Sequence, residues 1–190
     1  MGNHKTQLLG IFMFASATCA FAQAQLTRQH PQPERTGSIA QIVALDECDP
    51  TSFNKAIGPG FCKNVALAPL GVATTFQDLL TKAANGTPDP GWDFEPDTLK
   101  VREGTTLIVT NQGGEPHTFT EVKTFGGGFV EGLNDGEETV SECSGGFKNV
   151  EVAKTRIIQG SDLRVTGLSK GEHRFECCIH PWMRMTVEVK

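Results

Sequence analysis

The chain has 190 residues, 38% hydrophobic and 21% charged, enough to bury a core without metals or cross-links alone and too apolar for disorder as its main state. Against 22 Asp+Glu, the 17 Lys+Arg leave a net charge of −5, which excludes the broad basic footprint of a nucleic-acid binder. The 21 Gly and 10 Pro follow no collagen-like period or solenoid-length repeat, so a turn-rich all-β domain is expected.

The first residues end in a positive charge at Lys5, and residues 8–22 form an apolar run closing on Ala20-Phe21-Ala22. This pattern reads as a secretory signal peptide over residues 1–22 with a small-x-small cleavage site. Polar Gln23, Gln25, Thr27, Arg28 and Gln29 arrive before the roughly 20 apolar residues of a membrane anchor are complete. The expectation is an exported protein, periplasmic or secreted, with no stable membrane span after signal cleavage.

Residues 23–90 read as an N-terminal extension. Its start, to Gly37, is polar, Pro-containing and aperiodic, a flexible lead-in. Cys48 and Cys62 then flank a turn-rich stretch with Asp49-Pro50 and Gly58-Pro59-Gly60, and a bridge between them is the natural reading. Phe76, Leu79, Leu80 and Ala83 fit one face of a short helix over about residues 75–84. Asn85-Gly86 stops it, where a left-handed cap is cheap. Pro88-Asp89-Pro90-Gly91 marks the expected boundary with a domain over residues 91–190.

Beyond that boundary the hydrophobic period becomes two. Leu99 and Val101, Leu107 and Val109, and Leu163 and Val165 alternate with polar neighbours between Gly-bearing turns. His173, Phe175 and Cys177 share a face of the next strand, and Met185, Val187 and Val189 a face of the last. Short strands at regular intervals predict a β-sandwich. Residues 125–149 break the pattern and read as a long loop; Gly126-Gly127-Gly128 is no phosphate cradle, since no Gly-Lys-Ser/Thr follows. The acidic Asp135, Glu137, Glu138 and Glu142 in that loop read as a solvated face.

The chemistry concentrates in Cys177-Cys178-Ile179-His180-Pro181-Trp182-Met183. A thiolate, an imidazole and a thioether on one tight turn are soft and borderline donors that favour copper over magnesium or calcium. A trigonal His₂Cys site with a weak axial Met needs a second imidazole, and His117, in Glu115-Pro116-His117-Thr118-Phe119 just after Gly113-Gly114, is the obvious donor. Structural zinc rarely uses Met, and a binuclear copper site needs bridging cysteines several residues apart.

These motifs resemble the cupredoxins, small type 1 (blue) copper proteins. The Cys-x-x-His-x-x-Met spacing with a closing strand is similar to the short ligand loop of amicyanin, and the resemblance runs from about residue 92 to 190. It implies a Greek-key β-sandwich preceded by an extension with a short helix. It also implies one copper ion cycling between Cu(I) and Cu(II), held by His117, Cys177 and His180 with Met183 as the axial thioether. Two features depart from the family: the stretch between His117 and Cys177 is long, and Cys178 replaces a hydroxyl residue.

Adjacent residues of an extended strand face opposite sides, so Cys177 and Cys178 do not serve one ion. With Cys19 removed in the signal peptide, five cysteines remain. Pairing Cys48 with Cys62 and Cys143 with Cys178 leaves Cys177 as the single thiol. The expected function is one-electron transfer between redox partner proteins rather than enzymatic catalysis, with Trp182 in an apolar patch beside His180 where a partner docks. The alternatives are a protein that delivers or sequesters copper and a copper-free interaction module.

Overall fold

The computed structural model describes residues 37–63 and 73–190; the expected signal peptide and nearly all of the polar lead-in lie outside them. The clearest period-two pattern belongs to the last strand. In β10 (Arg184–Val189) Met185, Val187 and Val189 are buried while Arg184, Thr186 and Glu188 are half-exposed. Alternation of this kind turns one face of a strand to the core and the other outward. β10 lies between β3 (Thr98–Val101), which it pairs in parallel, and β9 (Gly171–Glu176), antiparallel, with β6 (Thr120–Val122) beyond.

The opposing sheet has the order β2 (Asp93–Glu95), β1 (Ile39–Leu45), β4 (Thr106–Asn111), β8 (Asp162–Val165). Ile42 and Ala44 of β1 and Leu107 and Val109 of β4 meet Phe175, Met185 and Val187 in one apolar cluster. Phe119 lies in the same cluster, stacked on Phe175 at 4.2 Å between ring centroids and edge-on to Phe94 at 5.1 Å, arrangements that the aromatic quadrupole favours. The all-β sandwich expected from the sequence is the fold observed, with non-consecutive strands adjacent in both sheets.

β1 adds something the pattern did not reveal. It lies in the segment read as an extension, yet it occupies an inner position, antiparallel to β2 through Ala44↔Phe94 and parallel to β4 through Ile42↔Val109. A parallel pairing is made across a long chain separation, and the run IAQIVAL has no strict alternation to announce it.

Between β1 and β2 the chain forms α1 (Pro50–Ala56) and α2 (Phe76–Ala84). Asp49 caps α1 by accepting the Ser52 N–H at 2.8 Å, with Pro50 in the first turn. Thr75 caps α2, which ends at Asn85 with Gly86 at φ 62. Phe53 and Phe76 join the helices edge-to-face at 5.3 Å, and the Cys48–Cys62 disulfide closes the loop that contains α1.

The long loop carries three single turns of 3-10 helix, Glu131–Leu133, Ser141–Cys143 and Gly146–Lys148, before α3 (Val150–Lys154). Asn134 stitches it internally, accepting the Gly128 N–H at 2.9 Å and donating to the Gly128 carbonyl at 3.0 Å. The Cys143–Cys178 disulfide fixes it to the end of β9. No helix among the described residues is long and apolar enough to cross a membrane.

Candidate metal centre

Two stretches deliver the donors. The first leaves β4 through the turn at residues 112–116 and enters β5 (His117–Thr118), which pairs with β7 (Arg156–Ile157). Asn111, fully buried, sets this turn: its Oδ1 accepts the Gly113 N–H at 2.9 Å, and its Nδ2 donates to the carbonyls of Glu115 at 2.7 Å and Ile157 at 3.0 Å. The turn presses so closely on the end of β1 that only glycine fits. A Cβ on Gly113 would stand 1.9 Å from Asp46 Oδ2, and one on Gly114 2.5 Å from Cys48 Sγ.

The second stretch is the loop from β9 to β10. Met183 N–H donates to the His180 carbonyl at 2.9 Å and Cys177 N–H to the Met183 carbonyl at 3.1 Å, so the seven residues close into one hydrogen-bonded turn.

These frames bring His117, Cys177 and His180 together, every donor atom within 4.8 Å of the others. The Cys177 Sγ lies 3.8 Å from Nδ1 of His117 and 3.8 Å from Nδ1 of His180. The two rings are 5.3 Å apart between centroids, and exposure is 0% at His117 and Cys177 and 2% at His180. Thr118 N–H also points at Sγ, at 3.4 Å. Met183 is fully buried in the apolar cluster that includes Cys177.

The donor set fits a first-row transition metal. Bonds of about 2.3 Å to sulfur and 2.0–2.1 Å to nitrogen, opened to a trigonal angle, separate S from N by about 3.8 Å, whereas a tetrahedral angle gives about 3.6 Å. The observed 3.8 Å separations lie in the range that one shared ion would span, and a thiolate with two imidazoles on a loop that also carries Met183 is a copper donor set.

Charge is organised around the sulfur. Burial alone disfavours the thiolate of Cys177, but the two facing imidazoles outweigh it and hold the thiol well below its ordinary range. Burial equally disfavours protonated His117, yet hydrogen bonds to Asp46 and Cys177 raise it to about 10. For His180, Glu115 and Cys177 overcome burial and raise it to about 9.

Two residues at this centre had escaped the sequence reading. Asp46 Oδ2 is 2.9 Å from His117 Nε2, and Glu115 Oε2 is 3.3 Å from His180 Nε2. Glu115 stands two positions before His117 and could have been suspected from that proximity. Asp46, 71 residues upstream of His117, carries no local signal. Among the described residues the cysteines divide as the sequence reading expected: Cys48–Cys62 and Cys143–Cys178 are bridged and Cys177 is a buried free thiol. Trp182 is half-buried, its ring 5.5 Å from that of His180 and its Nε1 without a hydrogen-bond partner. In the acidic stretch, Glu137 pairs with Arg184.

The β-sandwich thus encloses a buried His-Cys-His group, the arrangement that the sequence resemblance to cupredoxins led one to expect. No family model matches the chain and no curated protein matches it. Similar solved structures are cupredoxins. A purple cupredoxin from Nitrosopumilus maritimus shares 15% identity over 80% of this chain and 99% of that one, with a TM-score of 0.39. A reduced amicyanin variant shares 20% identity over 52% and 73% of the two chains, with a TM-score of 0.33. The copper(I) form of another amicyanin variant shares 19% over 52% and 73%, with a TM-score of 0.34.

Proposed function

We propose that the chain is an exported mononuclear copper protein that passes single electrons between redox partner proteins. The observation that supports this reading is the equal 3.8 Å approach of both Nδ1 atoms to the buried Cys177 sulfur. His117, Cys177 and His180 would hold the ion and Met183 would approach as the axial donor. Bound copper would supply the one-electron change between Cu(I) and Cu(II).

The chain's own residues do the rest. Asn111 and the two hydrogen bonds of the 177–183 loop lock the donors against rearrangement. The apolar cluster excludes water, and Thr118 N–H polarises the sulfur, an interaction of the kind that tunes such sites. Trp182, half-buried beside His180, would offer a partner protein an apolar approach to the centre. Two disulfides suit an oxidising compartment. Burial of all three donors favours retention of the ion over its delivery to another protein.

The test is to add Cu(II) to purified protein and record the visible and electron spin resonance spectra, with Cys177→Ser alongside. Strong thiolate-to-copper charge transfer that Cys177→Ser abolishes supports the reading, as does copper that stays bound against a chelator through repeated reduction and reoxidation. A colourless complex would overturn the site, and ready loss of copper to the chelator would turn the reading to copper handling.

A further inference from the structure

Both imidazoles that turn Nδ1 to Cys177 turn Nε2 to a buried carboxylate. For His117 the partner is Asp46, at 2.9 Å with both side chains at 0% exposure; for His180 it is Glu115, at 3.3 Å with both at 2%. The two carboxylates come from different places, the end of β1 and the turn before β5.

Each is itself held. Asp46 accepts backbone N–H groups from Gly114 at 2.9 Å, Glu115 at 2.9 Å and Cys48 at 3.2 Å in addition to His117 Nε2. A carboxylate offers about four lone-pair sites, so donors surround Asp46 and no place is left for a proton of its own. Glu115 Oε2 also accepts the indole N–H of buried Trp92 at 2.8 Å. Among the described residues neither carboxylate has a lysine or arginine partner, so their charge is directed at the imidazoles.

Resting on the copper reading above, we infer that Asp46 and Glu115 are positioning residues of the centre. Asp46 takes the hydrogen bond of His117 Nε2, which commits Nδ1 of that ring to the metal, and Glu115 stands 3.3 Å behind Nε2 of His180 and disposes that ring the same way. They also set two negative charges behind the ligands, which favours Cu(II) over Cu(I). A carboxylate behind a ligating imidazole fixes its tautomer and raises its basicity, and in a water-free pocket each charge is weakly screened. The N-terminal segment thus belongs to the redox centre, since β1 ends by presenting Asp46 to His117.

The experiment compares copper-loaded wild type, Asp46→Asn and Glu115→Gln by redox titration on the charge-transfer band. Proton–nitrogen NMR of the Cu(I) forms reads the ring protons. Asp46→Asn turns an amide toward backbone N–H donors, so where that variant fails to fold Glu115→Gln, whose carboxylate accepts only the Trp92 indole N–H among the described residues, carries the comparison alone. The expected result for each folded variant is a potential raised by at least a tenfold change in the Cu(II)/Cu(I) equilibrium, 59 mV for one electron. The wild type should show a slowly exchanging Nε2 proton on both rings, and the variant faster exchange on the ring that lost its carboxylate. Potentials unmoved or lowered in variants that keep the wild-type charge-transfer band would overturn this inference alone. A wild type that binds copper without charge transfer would overturn it together with the electron-transfer reading.

Discussion

Cys177 and Cys178 are consecutive and both fully buried, yet their sulfurs belong to different parts of the protein. Cys177 lies in the main apolar cluster 3.8 Å from two imidazoles, whereas Cys178 is bonded to Cys143 in a small cluster with Val152. The 35-residue separation spanned by that bridge corresponds to about 4 kcal/mol of chain entropy removed from the unfolded state. The double variant Cys143→Ala/Cys178→Ala should therefore lose stability of that order in urea unfolding while keeping its copper charge-transfer band. Loss of the band in a folded double variant would show that the bridge, and not Cys177 alone, builds the site.

Met183 is fully buried, and leucine is close to it in volume, so Met183→Leu should change stability by less than about 1.5 kcal/mol. A thioether donates electron density toward Cu(II), and the axial ligand tunes the potential of such sites. The copper-loaded variant should keep the thiolate charge transfer and show a potential about 59 mV or more above wild type, a tenfold change for one electron. Redox titration of the two proteins side by side measures it.

Asp89 connects α2 to the start of the second half of the chain. It accepts from Lys82 Nζ at 2.6 Å, Thr74 Oγ1 at 2.8 Å and the Gly91 N–H at 3.0 Å. Burial raises its pKa, but Lys82, Gly91 and Thr74 outweigh it and hold the carboxyl below its ordinary 3.8. A depressed carboxylate adds stability above the unfolded-state value, and that stability is lost as pH falls through the lower folded-state value. Asp89→Asn should be about 1–2 kcal/mol less stable than wild type at neutral pH, a figure reduced by the partial exposure of Lys82. The gap should narrow below about pH 4, as urea unfolding over a pH series would show.

Asn111 satisfies three backbone groups around the turn that carries Glu115 and His117. Alanine there would strand buried donors and acceptors at about 1–3 kcal/mol apiece. Asn111→Ala should lose at least about 3 kcal/mol, and its copper spectrum should broaden or shift as His117 loses its fixed position. A spectrum identical to wild type would separate the turn from the site.

The second half of the chain was legible because its signals are local. Period-two runs announced β3, β4, β8, β9 and β10, and the alternation of Met185, Val187 and Val189 gave the buried face of β10 directly. The short helix before Asn85-Gly86 was equally readable, since its apolar spacing and stop signal lie within a few residues. His117, Cys177 and His180 stood out because donor identity and spacing survive without structure. β1 and α3 were not foreseen: β1 depends on a distant parallel partner, and α3 is five residues long with only the Asn149 cap to mark it. Asp46 was invisible for the same reason as β1, because its role exists only once Gly113 and Gly114 allow the turn to close over it.

The division of the cysteines also bears on how the protein matures. Closing Cys48 to Cys62 and Cys143 to Cys178 leaves a single sulfhydryl among the described residues. An error of one position, joining Cys143 to Cys177, would spend the one thiol that faces His117 and His180 and yield a cross-linked isomer without that donor. Oxidative folding therefore has to choose between two neighbouring sulfurs, and only one choice leaves the His117, Cys177 and His180 donors together.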